Sequence, residues 1–276
     1  MNIIINADDL GLSRLVNDEI FSLIANGRIT SSTIMANAPA TEDALARLSQ
    51  FPRASYGVHM NCTQFAPLTR DEALKPLLAD NGEFKKDWKA ARYSGAVRRA
   101  VYKEWCAQVE KIMDAGVRIS HIDSHHHAHT EPALFFALKA VQRRFNIRRV
   151  RITRNIFDCG EKLPRGLPAR KRLWNFMLKN YIQTTTTDYF TSLDTFHANL
   201  REGRIFDGTV EVMVHPGHPR FAEETKRADT NWMSCIGANW SLLTYHELEK
   251  RTDSKSKTSR RDQCGGLGQV AECLFH

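Results

Sequence analysis

No stretch of eighteen or more apolar residues occurs in this chain of 276 residues, so no transmembrane helix is expected. Nor does a basic segment lead into a long apolar one at the start. Asp8 and Asp9 arrive after a few apolar residues, and a cleaved secretory leader is not expected. The six cysteines (Cys62, Cys106, Cys159, Cys235, Cys264 and Cys273) include no C-x-x-C pair. That argues against a zinc ribbon or a disulfide framework and for reduced thiols in a cytoplasmic protein. No short repeat recurs, and no linker divides the chain before residue 250. Acidic residues are in deficit, 31 against 39 Lys and Arg, for a formal charge of +8. Such an excess suits an anionic partner (nucleic acid, a membrane surface or an acidic glycan), or serves solubility alone.

What is present is ordinary globular composition, 42% hydrophobic and 25% charged, arranged as alternating strand-like and helical stretches. NIIIN (2–6), RITSSTIMAN (28–37), ASYGVHMN (54–61), RISHIDS (118–124), RRVRIT (148–153), TTDYF (186–190) and TVEVMVHP (209–216) read as strands. Helices are expected from Ser13 to Gly27, from Thr41 to about Gln50, and from about Ser94 to Ala115. Others are expected from Pro132 to about Phe145, near 168–182, and at 194–200. Residues 66–92 look irregular. Repeated strand–helix units imply parallel strands and right-handed crossovers, here an α/β barrel, closed or nearly so.

The polar residues able to bind metal fall at the ends of these strands. Asp8 and Asp9 follow the first, His59 ends the third, His125 follows HIDS, Arg151 lies late in RRVRIT, and His215 ends EVMV. The strand C-termini are where α/β barrels assemble active sites. An Asp and two His suit one divalent cation with room left for water or substrate. Each residue alone has a plainer reading: Asp-Asp as a turn, His59 as a core histidine, HPGHP (215–219) as a proline-rich turn. SHHHAH (124–129) is harder to set aside, because it follows a short buried strand that contains Asp123. His121, Asp123, His125 and His127 share strand parity.

At NADDLGLS (6–13), GRITSSTIMAN (27–37), GVHMN (57–61), SHIDSHHHAH (120–129) and EVMVHP (211–216) the chain resembles the YdjC-like carbohydrate deacetylases, which include chitooligosaccharide deacetylase. The resemblance covers roughly residues 1–220. It implies a distorted TIM-like α/β barrel in a single domain, one divalent metal ion (Mg or Zn), and removal of N-acetyl groups from small amino sugars or oligosaccharides. By the same resemblance Asp9, His59 and His125 are metal ligands, Asp8 the general base and His215 the general acid. Arg151, which pairs with Asp8, together with Asn61 and His127 completes the set as supporting or substrate-binding residues.

Other readings stay open. Amidohydrolase-type and phosphoesterase-type barrels also use His-x-His pairs, which His125/His127 or His127/His129 would supply; two metal ions per chain would mark such a site. A non-catalytic relative that binds glycans or anionic surfaces is the non-enzyme alternative. RRFNIRRVRITR (143–154) and RGLPARKRLWNFMLKNYI (165–182) are basic, yet no nucleic-acid motif accompanies them and no nucleic-acid partner is expected. In the second, Leu173, Trp174, Met177, Leu178 and Tyr181 form one helical stripe, either packed on the barrel or serving as a peripheral membrane contact. The barrel is expected over 1–250. The polar, basic, Ser/Gly-rich segment 251–276, atypical from about Thr252 and with no final strand legible, is expected to be disordered.

Overall fold

In a computed structural model, which describes residues 1–235 and 239–248, the chain forms an all-parallel sheet wrapped by helices. The tail expected to be disordered lies outside the described residues. The strands are β1 (Asn2–Leu10), β2 (Ser31–Ile34), β3 (Ser55–Met60), β4 (Ile122–Ser124), β5 (Tyr189–Ser192), β6 (Thr209–Val214) and β7 (Ser241–Leu242). The helices are α1 (Arg14–Ala25), α2 (Thr41–Arg47), α3 (Gly95–Asp114), α4 (Phe135–Phe145), α5 (Leu167–Asn180), α6 (Leu193–Arg201) and α7 (Ala222–Asp229).

The strand order is β4-β3-β2-β1-β6-β5, with β7 against the start of β1. The ring is completed by irregular backbone. Val150 bridges Ile122 of β4, Arg149 bridges Thr185, and Asn155 donates to Phe190 of β5. RRVRIT is therefore extended but not a regular strand, and this is the distortion of the TIM-like barrel. Three other expected strands are shorter or displaced: 28–37 contracts to β2, 118–124 to β4, and 186–190 moves to β5.

The isoleucine run explains itself by parity. Ile3, Ile5 and Ala7 join the large apolar cluster between sheet and helices, while Ile4 packs inside the barrel with Leu243, Tyr245 and Leu248. That small second cluster plugs the barrel floor. Above it on β1, Asn6 and Asp8 follow Ile4 into the interior.

The expected end of the first strand is corrected: β1 runs on to Leu10 and contains both aspartates. Its register against β2 shifts between Ala7 and Leu10, and Asp9 takes a left-handed backbone, φ 68°. In a regular strand neighbouring side chains point to opposite faces. This bulge instead lets adjacent carboxylates serve the same interior. Gly11, φ 100°, completes the turn where an added Cβ would lie 3.1 Å from the Met35 carbonyl.

Candidate metal centre and active site

Three side chains converge at the C-terminal mouth of the barrel. Asp9 Oδ1 lies 3.2 Å from His59 Nε2 and 2.9 Å from His125 Nδ1, and all three residues are buried. This buried oxygen has no hydrogen-bond partner. Its carboxyl is nevertheless held well below the usual range: burial raises it, and His125 and His59 outweigh that.

The strands dictate this convergence. His59 on β3 and Asp123 on β4 are direct register partners, and His59 Nδ1 meets Asp123 Oδ1 at 2.7 Å. Asp123 thus aims Nε2 at Asp9, the carboxylate–histidine arrangement that fixes a ligand's tautomer. Burial opposes charge on His59, but Asp123, Asp9 and Asp8 lift it to about 10. His125 leaves β4 into a tight turn where Gln64 Oε1 faces its Nε2 at 2.8 Å.

Arg151 sits beneath, fully buried. It donates two parallel hydrogen bonds to Asp8, Nη1 to Oδ2 and Nη2 to Oδ1, each 2.7 Å. Nη1 also lies 2.6 Å from Asp123, and Nε donates to Glu211 at 2.7 Å. Burial pushes the Glu211 carboxyl up to about 7 despite Arg151. The Tyr245 hydroxyl donates to Glu211 from the floor plug, and His121 stacks on the Tyr245 ring at 3.6 Å. Gly57 gives His121 room; a Cβ there would be 2.6 Å from its ring.

His215 stands just past β6, its Nδ1 3.4 Å from the buried Glu224 of α7 and its ring stacked on Phe221 at 4.4 Å. Burial lowers its pKa, but Glu224, Asp8 and Asp9 together raise it.

The expected supporting residues fare differently. Asn61 is fully buried, its amide spent on Asn37 and the Gln64 carbonyl, so it shapes the loop that carries Gln64. His126 and His127 have left-handed backbones, φ 50° and 56°, which end the shared parity. His127 packs edge-on against Phe190, 5.7 Å away, and is not among the side chains that converge with Asp9. His129 meets Ser124 and the Arg151 carbonyl instead.

Sequence reasoning placed Asp123 on a strand face with His121 without giving it a role, and passed over Glu211, Gln64 and Glu224. Glu224, on a helix that the sequence pattern did not suggest, had no signal.

Asp8, His59 and Asp123 form a second group whose ligand atoms lie within 4.8 Å of one another. A cation already faces its two carboxylates, the Arg151 guanidinium. Beside the first group opens a groove of about 1010 Å³, lined by Phe65, Trp88, His125, His126, His218 and Arg220 among others.

A model of the YdjC-like protein family matches residues 2–256. The chain is 32% identical over 252 residues to a carbohydrate deacetylase of Halalkalibacterium halodurans, covering 90% of this chain and 97% of that one. It is 36% identical over 218 residues to a carbohydrate deacetylase of Geobacillus stearothermophilus, covering 78% and 79%. Among solved structures, a candidate cellobiose-phosphate cleavage protein of Enterococcus faecalis V583 superposes with a TM-score of 0.70 at 23% identity, covering 90% of this chain and 98% of that one; this likeness concerns the fold.

Proposed function

The chain belongs to the YdjC-like family, and from that premise we propose that it is a metal-dependent hydrolase that removes N-acetyl groups from amino sugars or short N-acetylated oligosaccharides. The shared name of its relatives, carbohydrate deacetylase, supports the substrate class. One observation carries the metal dependence: Asp9 Oδ1, buried, within 3.2 Å of two imidazole nitrogens and without a hydrogen bond. Such an oxygen is costly unless a cation stands where the protons would. Asp9, His59 and His125 would hold the ion. Two nitrogens and one oxygen favour zinc, with magnesium the alternative.

When bound, the ion polarises the amide carbonyl and lowers the pKa of water in the site. The chain's own residues manage the protons. Asp8, oriented by Arg151, takes one from the attacking water. His215 keeps Nδ1 toward Glu224, which leaves Nε2 to deliver a proton to the departing nitrogen; without it the amine would leave as an anion. The groove has the volume for more than one sugar ring. A cytoplasmic setting suits the exposed free thiol of Cys159.

A two-metal amidohydrolase is the weaker reading, because Arg151 fills the place of a second cation between Asp8 and Asp123. The deciding experiment is acetate release from N-acetylglucosamine oligomers with and without a chelator, alongside metal content per chain. Chelator-sensitive release with one ion per chain is expected. Release unaffected by complete metal removal, or none from folded, metal-loaded protein, would overturn the proposal.

A further inference from the structure

The apolar side chains left in water are not scattered. Of the ten large ones exposed among the described residues, six lie on α4, α5 or the turn after α5: Phe136, Leu173, Phe176, Met177, Tyr181 and Ile182. Phe136, Phe176 and Leu173 are 67%, 64% and 58% exposed. The helical stripe read from the sequence divides: Trp174 and Leu178 pack inward, while Leu173, Met177 and Tyr181 stay outside. Phe136 and Tyr181 meet edge to face at 5.8 Å, and an apolar groove of about 470 Å³ runs between the helices. Contiguous exposed patches of this kind mark interaction sites.

The charge around the patch identifies the partner. Neither α4 (FFALKAVQRRF) nor α5 (LPARKRLWNFMLKN) contains a carboxylate. Arg143, Arg170, Arg172 and Lys179 are exposed on them. Arg172 and Lys179 lie four residues before and three after Phe176, so cations and ring share a helical face. Two copies joined here about a two-fold axis would bring together two cationic faces whose helices offer no carboxylate to pair with them. An anionic bilayer offers the complement instead, apolar below and negatively charged at the level of the headgroups.

We propose that the α4–α5 face docks peripherally on an anionic membrane surface, with Phe136 and Phe176 entering the interface and Arg172 and Lys179 at the headgroups. No helix of the described residues is long and apolar enough to cross a membrane, so this is surface attachment. The proposal stands independently of the hydrolytic reading.

The test is co-sedimentation of the full chain with vesicles of phosphatidylcholine alone and of equal parts phosphatidylcholine and phosphatidylglycerol, at low and high salt. Two variants accompany it, Phe136→Ser/Phe176→Ser and Arg172→Glu/Lys179→Glu, with circular dichroism and sedimentation velocity as controls. All four residues are exposed, so folding should survive. Binding to the anionic vesicles only, weakened by salt, is expected. The charge-reversal pair should weaken it at least about thirtyfold, from roughly a fivefold loss for each cation removed, before the added negative charge is counted. Absence of binding, equal binding to both vesicle types, or binding unchanged by both variants would overturn the proposal. So would a dimer that the Phe136→Ser/Phe176→Ser variant dissociates, which would assign the face to a second copy.

Discussion

Arg151 grips Asp8 with two parallel hydrogen bonds of 2.7 Å, and both side chains are buried. The geometry is specific to a planar fork: a lysine supplies the charge but only a point contact. The same guanidinium also faces Asp123 and Glu211, so it balances three carboxylates at once. Removing the cation while the carboxylates stay buried costs on the order of 3–5 kcal/mol.

Arg151→Lys is therefore expected to fold with a lowered Tm and to lose kcat more than it raises KM, because Asp8 is no longer oriented. Arg151→Met should fail to give stable protein. Thermal unfolding and steady-state acetate release separate the two. Wild-type kcat in Arg151→Lys would rule out the orienting role.

Asp8→Asn keeps the size of the side chain and removes its basicity. Acetate release should fall about 10²–10⁴-fold, the usual contribution of a positioned base, while metal content stays at the wild-type level. Loss of metal together with activity would mean that Asp8 is a ligand.

Asp123→Asn probes the layer behind the residues proposed to hold the metal. Asp123 orients His59 through a 2.7 Å contact and does not itself face Asp9. Removing its charge should weaken metal affinity about 10–100-fold, less than His59→Ala or Asp9→Ala would. Competition with a chromogenic chelator measures all three.

How far these roles could be read in the sequence depends on distance along the chain. The strand-end positions of Asp9, His59, His125 and His215 were legible, because one residue's place on one strand implies the barrel mouth. The bulge at Asp8–Asp9 was not; it depends on the register with β2, which no local pattern encodes. The parity that joined His127 to Asp123 ends at Ser124, where a left-handed turn begins, yet His127 still lines the groove beside Asp9. Tyr245 and Glu211 were invisible because their contact joins the C-terminal segment to β6 through the barrel interior. Extended backbone at 148–153 was anticipated, but its regular ladder was not formed.

Glu211 makes stability pH-dependent in an unusual direction. Its carboxyl rises from 4.5 in the open chain to about 7 in the fold, chiefly by burial. The folded state binds this proton more tightly, so the stabilisation is fully present below pH 4.5 and lost as pH rises through about 7. The span corresponds to about 3 kcal/mol. In Glu211→Gln this component should vanish, so the wild-type advantage in Tm should shrink between about pH 4.5 and 7. A constant difference across that window would contradict the raised value.

His215 must be protonated to serve as general acid, and its pKa lies above the ordinary 6.5 because Glu224, Asp8 and Asp9 outweigh burial. Glu224 favours the acid form to higher pH, so it should set the position of the basic limb of kcat/KM. Glu224→Gln removes a carboxylate 3.4 Å from Nδ1 and should move that limb to lower pH, with less loss at acidic pH than at neutral. His215→Ala should abolish the limb and lower activity throughout. An amide with a better leaving group, such as an N-acetylated 4-nitroaniline, needs less help from the acid, so His215→Ala should lose least on it. A basic limb that survives in His215→Ala would remove His215 from proton delivery and leave it a wall of the groove, and a profile unchanged by Glu224→Gln would show that Glu224 does not tune it.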